Sequence, residues 1–193
     1  MLELLAPAGN LDAVIAAVQN GADAVYMGFG DGFNARRSAD NFTRESFAKA
    51  VRYCHIRGCK VYVTLNTLVG DREMEAAAAL AQQASDAGAD AILVQDLGLA
   101  RVLRDALPDI PLHASTQMSI HNLAGVEAAA EMGITRAVLS RELSLEQIRF
   151  ISQHASIETE VFVHGALCFC YSGQCYMSAL IGRRSGNRGA CAQ

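Results

Sequence analysis

The feature that most constrains this chain is a short theme that recurs along it: a glycine closes an alanine-rich amphipathic stretch, and three or four apolar residues follow. The theme reads GADAVYM at 21–27 and GADAILV at 88–94, with a weaker copy, GITRAVL, at 133–139. Glycine at the end of a helix supplies the positive φ that terminates it. Because the apolar runs are continuous rather than alternating, they indicate strands that are buried on both faces.

Four further runs of the same kind bring the predicted strands to seven, at 3–6, 60–65, 111–114 and 158–164. The residues between the strands carry helix starts. Asn10 and Asp71 are predicted to cap the first and third helices, and Ser144 with Gln147 forms a capping-box pair at the sixth. Two other helices are predicted over 43–57 and 122–132.

Strands that alternate with helices form a parallel sheet with right-handed crossovers. Seven near-equal units without a Rossmann glycine fingerprint favour an α/β fold of the (β/α)8 TIM-barrel type over a doubly wound sheet. Such a barrel takes about 250 residues, whereas the chain has 193. We therefore predict a barrel truncated after about seven βα units. Residues 1–165 would form units 1 to 7, residues 166–193 a cysteine-rich loop with a Gly/Arg tail, and the remainder of a longer protein would follow.

The composition narrows the class of protein. The chain is 51% hydrophobic and 19% charged, with a net charge of −4, which excludes a disordered chain. Its longest purely apolar runs, at 13–18 and 76–81, are far shorter than the roughly 20 residues of a membrane span. No secretory signal is visible, so we expect a cytoplasmic address and no membrane partner. The net charge does not favour phosphate binding, although the locally basic residues 182–189 could touch an RNA backbone or form a solvated loop.

In a barrel of this type the active site collects at the carboxyl ends of the strands. This rule selects a set of polar residues that follow the predicted strands: Arg36, Asn66, His113, Ser115, Gln117, Arg141 and His164. Neither an HExxH zinc motif nor a GxSxG nucleophile elbow is present. The residue pattern therefore argues against a zincin and against a hydrolase of the nucleophile-elbow type.

Several of these residues have more than one interpretation. His113 could bond a neighbouring loop as a polar strand-end residue, or pair with Ser115 as in a hydrolase, which would also need an orienting acid. Arg36 and Arg141 could clamp carboxylates or phosphates, or be solvated loop arginines. His164 is expected at the end of the seventh strand, in the same barrel mouth as the cysteines that follow.

The chain has six cysteines, of which Cys54 and Cys59 flank a helix end and are predicted to be packing residues. The other four, at 168, 170, 175 and 191, match neither a zinc ribbon nor the plant ferredoxin spacing. Their crowding near one loop could hold zinc or an iron–sulfur cluster, form a redox dithiol, or supply buried structural thiols.

The sequence EVFVHGALCFCYSGQCYMS at 160–178 resembles the signature of the collagenase-like peptidase family U32. The opening ELLAPAG at 3–9 and GADAVY at 21–26 resemble the start of the family, and the resemblance covers essentially the whole chain. Five segments are similar to the branch that hydroxylates cytidine in 23S ribosomal RNA: NAR at 34–36, VTLNT at 63–67, VQD at 94–96, LHASTQ at 112–117 and SREL at 140–143.

The resemblance implies an enzyme that hydroxylates RNA without molecular oxygen, with prephenate as oxygen source and cosubstrate and a [4Fe–4S] cluster as cofactor. Carried over, Cys168, Cys175 and Cys191 are cluster ligands, the fourth lies beyond Gln193, and Cys170 is a non-ligand. Arg36 and Arg141, with Asn66, would bind substrate, and His113, Gln117 and His164 would assist proton or oxygen transfer as catalytic residues. Ribosomal RNA is then the partner of the full-length protein, and we expect the fragment alone to lack the cluster and to be inactive. The alternatives are a collagenase-like peptidase and a non-catalytic binding module.

Overall fold

In a computed structural model, residues 2–30, 32–35, 41–165 and 168–191 are described. Within them, seven parallel strands form one sheet in sequence order. The strands are β1 (Leu5–Pro7), β2 (Ala24–Met27), β3 (Lys60–Leu65), β4 (Ala91–Val94), β5 (Leu112–Ala114), β6 (Arg136–Val138) and β7 (Glu158–Glu160). The helices are α1 (Leu11–Gln19), α2 (Arg44–His55), α3 (Met74–Asp86), α4 (Leu97–Ala106), α5 (Leu123–Glu131), α6 (Leu145–His154) and α7 (Met177–Gly182).

The local signals in the sequence position most of these elements. Gly21, Gly88 and Gly133 have the predicted positive φ, at 89°, 96° and 80°. Asn10 caps α1 by accepting a hydrogen bond from the Ala13 amide (2.9 Å), and the capping box at α6 is present. The repeated theme of the sequence is therefore confirmed as the turn from a helix into a buried strand.

Two predicted boundaries are wrong. Asp71 does not cap α3, because residues 71–73 form a turn and the helix begins only at Met74. The Glu73 carboxylate instead accepts from the Gly70 amide (2.9 Å). The strand predicted over 158–164 ends at Glu160, and the apolar residues that continue the run are exposed, Val163 by 87%.

The sheet is curled into a partial barrel. Strands lie about 4.8 Å apart, so in a flat sheet β1 and β6 would be separated by about 24 Å. Arg136 on β6 nevertheless donates to Glu3, which precedes β1, over 2.6 Å. The inner face carries Tyr62, Leu93 and Val138, and the outer face packs against the helices through residues such as Val61 and Ile92. The α/β barrel-type architecture is thus confirmed, while the truncation and the domain limits at 165/166 stay predictions.

A buried ion network holds the amino-terminal end of the barrel. The Arg136 guanidinium, with 9% of its side chain exposed, contacts Glu3 (2.6 Å), Glu158 (2.6 Å) and Glu160 (3.5 Å). Burial raises the pKa of Glu3, but hydrogen bonds from Arg136, Lys60 and Tyr62 outweigh it and lower that pKa from 4.5 to about 2. Charged groups at this end of a barrel serve stability, since the chemistry lies at the opposite end. None of the helices in the described part of the chain has the length and apolar character that a membrane crossing requires.

Candidate active site

Residues 168–191, the cysteine segment, lie across the carboxyl ends of the strands. Ser172, within this segment, is buried, with 1% of its surface exposed. The Glu142 carboxylate, after β6, accepts hydrogen bonds from the Ser172 amide and hydroxyl, and the Ser119 hydroxyl, after β5, donates to the Ser172 carbonyl (2.6 Å). The middle of the cysteine segment is therefore tied to the ends of two adjacent strands.

Gly173 lets the segment approach the barrel closely. Its φ is +75°, a backbone conformation that residues other than glycine rarely adopt. A β-carbon built there would clash with the carbonyl oxygen of Gln117. The far end of the segment is held separately, because the Arg188 guanidinium forms a bidentate pair with Glu73 (2.7 and 3.0 Å) and also donates to the Leu68 carbonyl (2.7 Å).

A first cavity of about 270 Å³, the cysteine cavity, lies between this segment and the strand ends. Its lining contains three predicted ligands, Cys168, Cys175 and Cys191, together with the predicted site residues Gln117 and Arg141. Arg141 makes no ion pair with any of the described residues, and its amide donates to the Ser172 hydroxyl (3.4 Å). The structure thus brings five of the nine predicted site residues to one cavity.

The donor chemistry of this cavity suits a thiolate-bound metal cluster, because cysteine sulfur is the usual ligand of iron–sulfur centres. Cys170 also lines the cavity, and its pKa is raised chiefly by its hydrogen bond with Cys175. Across residues 2–30, 32–35, 41–165 and 168–191, no group of three His, Cys, Asp or Glu side chains is gathered closely enough to hold a metal ion. The cavity therefore fits the cluster in its kind of donor, and the three thiols are not arranged as a formed metal site.

A second cavity of about 370 Å³, the amide cavity, adjoins the first and shares Gln117, Gly173, Cys175 and Asn187 with it. Gln95, Gln174 and Asn187 supply amide groups to its lining. Leu97, Met118 and Tyr176 supply apolar surface, and Arg188 closes one side. This combination of flat apolar surface and a few polar groups is typical of a small-molecule pocket.

His113 does not reach either cavity lining. It is 4% exposed on β5, packs edge-on against the Tyr62 ring at 4.9 Å, and its Nδ1 has no hydrogen-bond partner among the described residues. Burial and the positive charge of Arg136 lower the pKa of His113 from 6.5 to about 3, so the imidazole is neutral at physiological pH. His113 therefore lies outside the linings of both cavities.

Asn66 is placed as a bridge under the mouth of the barrel. Its Nδ2 donates to the Ser115 hydroxyl (3.1 Å), and its Oδ1 accepts from the Ala35 amide (3.0 Å). Ser115 also accepts from the Gln117 amide (3.3 Å). No hydrogen bond joins Ser115 to His113 in the described part of the chain, so the Ser–His pair of a hydrolase is not assembled.

Two further predictions have different outcomes. His164 is exposed, lies four residues beyond the end of β7 and lines neither cavity. Its predicted position at a strand end was therefore wrong, because β7 is shorter than the apolar run. Arg36 lies outside the described residues. Cys54 and Cys59 are buried at the end of α2, as predicted, and burial raises the pKa of Cys54 to about 12.

The sequence did not reveal the anchors of the cysteine segment. Glu142 was visible only as a polar residue after a strand, Ser172 and Gly173 only as parts of the family motif at 160–178, and Arg188 only as part of the basic stretch at 182–189. A glycine inside a non-helical polar stretch, as at Gly173, was the available signal. Its partner, the Gln117 carbonyl, is distant in sequence and could not be inferred from local pattern.

Comparison with known proteins places these features in context. The profile of peptidase family U32 matches residues 9–193. The 23S rRNA 5-hydroxycytidine C2501 synthase of Escherichia coli is 45% identical over 192 residues, which are 100% of this chain and 29% of that protein. The tRNA hydroxylation protein P1 of Bacillus subtilis is 40% identical over 99% of this chain and 45% of its own length. The chain thus spans less than half the length of these relatives.

Two other similarities bear on the alternatives. A protein named collagenase from Porphyromonas gingivalis is 34% identical over 99% of this chain and 48% of its own length. The solved structure of the U32 peptidase Mk0906 superposes with a TM-score of 0.72 at 17% identity, covering 88% of this chain and 71% of that one. At that identity the superposition supports the fold alone.

Proposed function

Because the chain belongs to peptidase family U32, with relatives named for the hydroxylation of ribosomal and transfer RNA, we propose that it is the barrel part of an RNA hydroxylase that acts on cytidine in 23S ribosomal RNA. The observation that carries the proposal is the convergence of Cys168, Cys175, Cys191, Gln117 and Arg141 on one cavity at the carboxyl ends of the strands.

The cofactor we propose is a [4Fe–4S] cluster held by Cys168, Cys175 and Cys191, with a fourth ligand beyond Gln193. When bound, it would supply the electron-transfer and Lewis-acid capacity of iron. The chemistry of the thiols supports this assignment. Because a fourth ligand would lie beyond this chain, we further propose that residues 1–193 alone are inactive.

The cosubstrate we propose is prephenate, a dicarboxylate. Arg141 brings a guanidinium without an ion pair in the described residues to the cysteine cavity. A planar guanidinium binds a carboxylate through two parallel hydrogen bonds, so Arg141 is the residue that would hold and orient the cosubstrate. Gln117, which lines both cavities, would face the cosubstrate on one side and the RNA base on the other.

Peptide hydrolysis receives no comparable support. The Ser115 hydroxyl accepts bonds from Asn66 and Gln117, so it lacks the base that would make it a nucleophile. A non-catalytic binding module would not need thiols beside an arginine in a cavity. Incubating the full-length protein with denatured collagen tests the peptidase: cleavage abolished by Ser115→Ala would displace the hydroxylase proposal.

Nucleoside mass spectrometry of ribosomal RNA from a deletion strain tests the function. We expect hydroxycytidine to disappear and to return with the wild-type gene but not with Cys168→Ala; a Cys54→Ala gene, which changes a buried thiol away from the site, should restore it. An unchanged hydroxycytidine level would overturn the proposal. Iron analysis of the anaerobically purified full-length protein tests the cluster separately: about four irons per chain are expected, and the same iron content in Cys168→Ala would refute the ligand assignment.

A further inference from the structure

Two glutamines in the lining of the amide cavity have buried side-chain oxygens without hydrogen-bond partners among the described residues. Gln95 is 7% exposed, and its Nε2 donates to the Gln117 carbonyl (3.3 Å). Since a carbonyl oxygen can only accept, this contact fixes the orientation of the amide and leaves Oε1 as the acceptor. Oε1 of Gln95 and Oε1 of Gln117 are both buried and have no partner among the described residues. A buried acceptor without a donor is costly, so a ligand that brings N–H groups lowers the free energy of the site.

The charge of the cavity indicates a neutral ligand. Arg188, the cation in the lining, is already neutralised by its bidentate pair with Glu73. Its remaining contact is with the Leu68 carbonyl. Among the described residues, the lining therefore presents no unpaired cation to a carboxylate or a phosphate. This contrasts with the cysteine cavity next to it, where Arg141 faces the space without a carboxylate partner in the described residues.

The remaining lining indicates a flat ring. Leu97, Met118 and Tyr176 give the cavity apolar and aromatic surface, on which a base can stack. The volume of about 370 Å³ falls in the range of sites that enclose small organic ligands. Enzymes that modify a base take it out of the stack and read its hydrogen-bonding edge in such a pocket.

We propose that the amide cavity binds the cytosine base that is hydroxylated, and that Gln95 and Gln117 select it by accepting hydrogen bonds from its 4-amino group. The inference rests on the function proposed above and names the residues that choose the substrate. An exocyclic amine carries two N–H donors for two acceptors. Uracil presents a carbonyl at the same position and would set an acceptor against two acceptors. Because Gln117 lines both cavities, the base lies beside the cosubstrate.

Binding to the full-length protein tests the proposal without turnover. Three RNA oligonucleotides differ only in the target base: cytosine, pyrimidin-2-one, which lacks the 4-amino group, and uracil. Fluorescence anisotropy gives the Kd of each. We expect wild type to bind cytosine about tenfold more tightly than pyrimidin-2-one, because the two hydrogen bonds contribute about threefold each. Gln95→Met keeps the side-chain length and removes one of the two acceptors, so the ratio should fall to about threefold. Gln83→Met, on the exposed face of α3, should keep it.

A tenfold ratio that survives in Gln95→Met would overturn the proposal, as would a wild type that does not distinguish the three bases or does not bind them. If Gln95→Met fails to fold, judged by thermal melting, Gln117→Met gives the same test on the second acceptor. The deletion-strain measurement separates the two proposals: hydroxycytidine lost without base discrimination refutes only the pocket, and discrimination with hydroxycytidine unchanged refutes only the function.

Discussion

Replacing Arg136 by methionine should destabilise the protein by about 2–4 kcal/mol at pH 7, and by much less in acid. Methionine keeps most of the buried aliphatic volume and removes the charge. The magnitude comes from Glu3, whose pKa is about 2 instead of 4.5; at about 1.4 kcal/mol for each tenfold change this amounts to roughly 3 kcal/mol. Lys60 and Tyr62 supply part of that effect, while Glu160 also loses its partner. A broken buried ion pair typically costs about 3–5 kcal/mol.

The sign of the pH dependence follows from the direction of the shift. Glu3 has a depressed pKa in the folded state, so its stabilisation is present above pH 4.5 and is lost as the pH falls towards 2. Burial raises the pKa of Glu160, so this carboxylate destabilises the folded state at neutral pH and does so less in acid. Arg136 lowers that pKa, so its loss makes the destabilisation by Glu160 at neutral pH larger in the variant. The stability difference between wild type and variant should therefore be largest near pH 7 and fall by more than half at pH 3.

Urea denaturation at both pH values measures this difference, with Arg149→Met, an exposed arginine on α6, as the matched control. An Arg136→Met variant that is equally destabilised at pH 7 and pH 3 would show that packing, and not charge pairing, accounts for the effect. That result would refute the reasoning about the network. A variant as stable as Arg149→Met at pH 7 would refute it as well.

Three other predictions concern the barrel mouth and the buried groups. Gly173→Ala should lower the free energy of unfolding by about 1–3 kcal/mol, because it combines a positive φ with a clash against the Gln117 carbonyl. Thermal melting measures this loss of stability, and faster alkylation of Cys175 would report the displaced segment, whereas wild-type stability would contradict the close approach. His113 should stay neutral to about pH 4 in NMR titration, and because its pKa is lowered, its contribution to stability should be lost as the pH falls from 6.5 towards 3; an imidazole that protonates near pH 6.5 would be incompatible with its burial. At pH 8 a thiol reagent should modify the exposed Cys168 and Cys191 rapidly and Cys54, with its pKa raised to about 12, only after denaturation; equal rates would mean that α2 opens readily.

Local signals predicted most of the fold. The glycine at the end of each helix and the buried run after it are adjacent in sequence, so Gly21 and Gly88 mark their strands without knowledge of the rest. The same logic failed at β7, because the residues after Glu160 are apolar but have no neighbouring strand to pair with in the described part of the chain. An apolar run indicates that its residues favour burial, but it does not predict the residue at which the buried strand ends.

The candidate site was partly predictable, because the barrel rule depends only on strand order. It brought Gln117, Arg141 and the cysteines to one end of the sheet, where the structure places them around one cavity. It did not predict depth: His113 belongs to the layer below, since its side chain follows the inner face of β5. The contacts of Glu142 with Ser172 join residues 30 positions apart, so the cysteine segment must fold back onto the loop after β6. A local sequence pattern does not predict a contact between residues so far apart in the chain.

The contact between Arg136 and Glu3 also bears on the order in which the protein folds. Each strand pairs with the strand that precedes it in the chain, so successive units can dock as they emerge from the ribosome, with only short loops to close. The bond from Arg136 to Glu3 joins residues 133 positions apart and must wait until the sixth strand has been made. Its closure carries the larger entropic cost of a long loop. Mutations at Arg136 should therefore speed unfolding and leave the folding rate almost unchanged. The network then forms after the transition state of folding and slows the unfolding of the curled sheet.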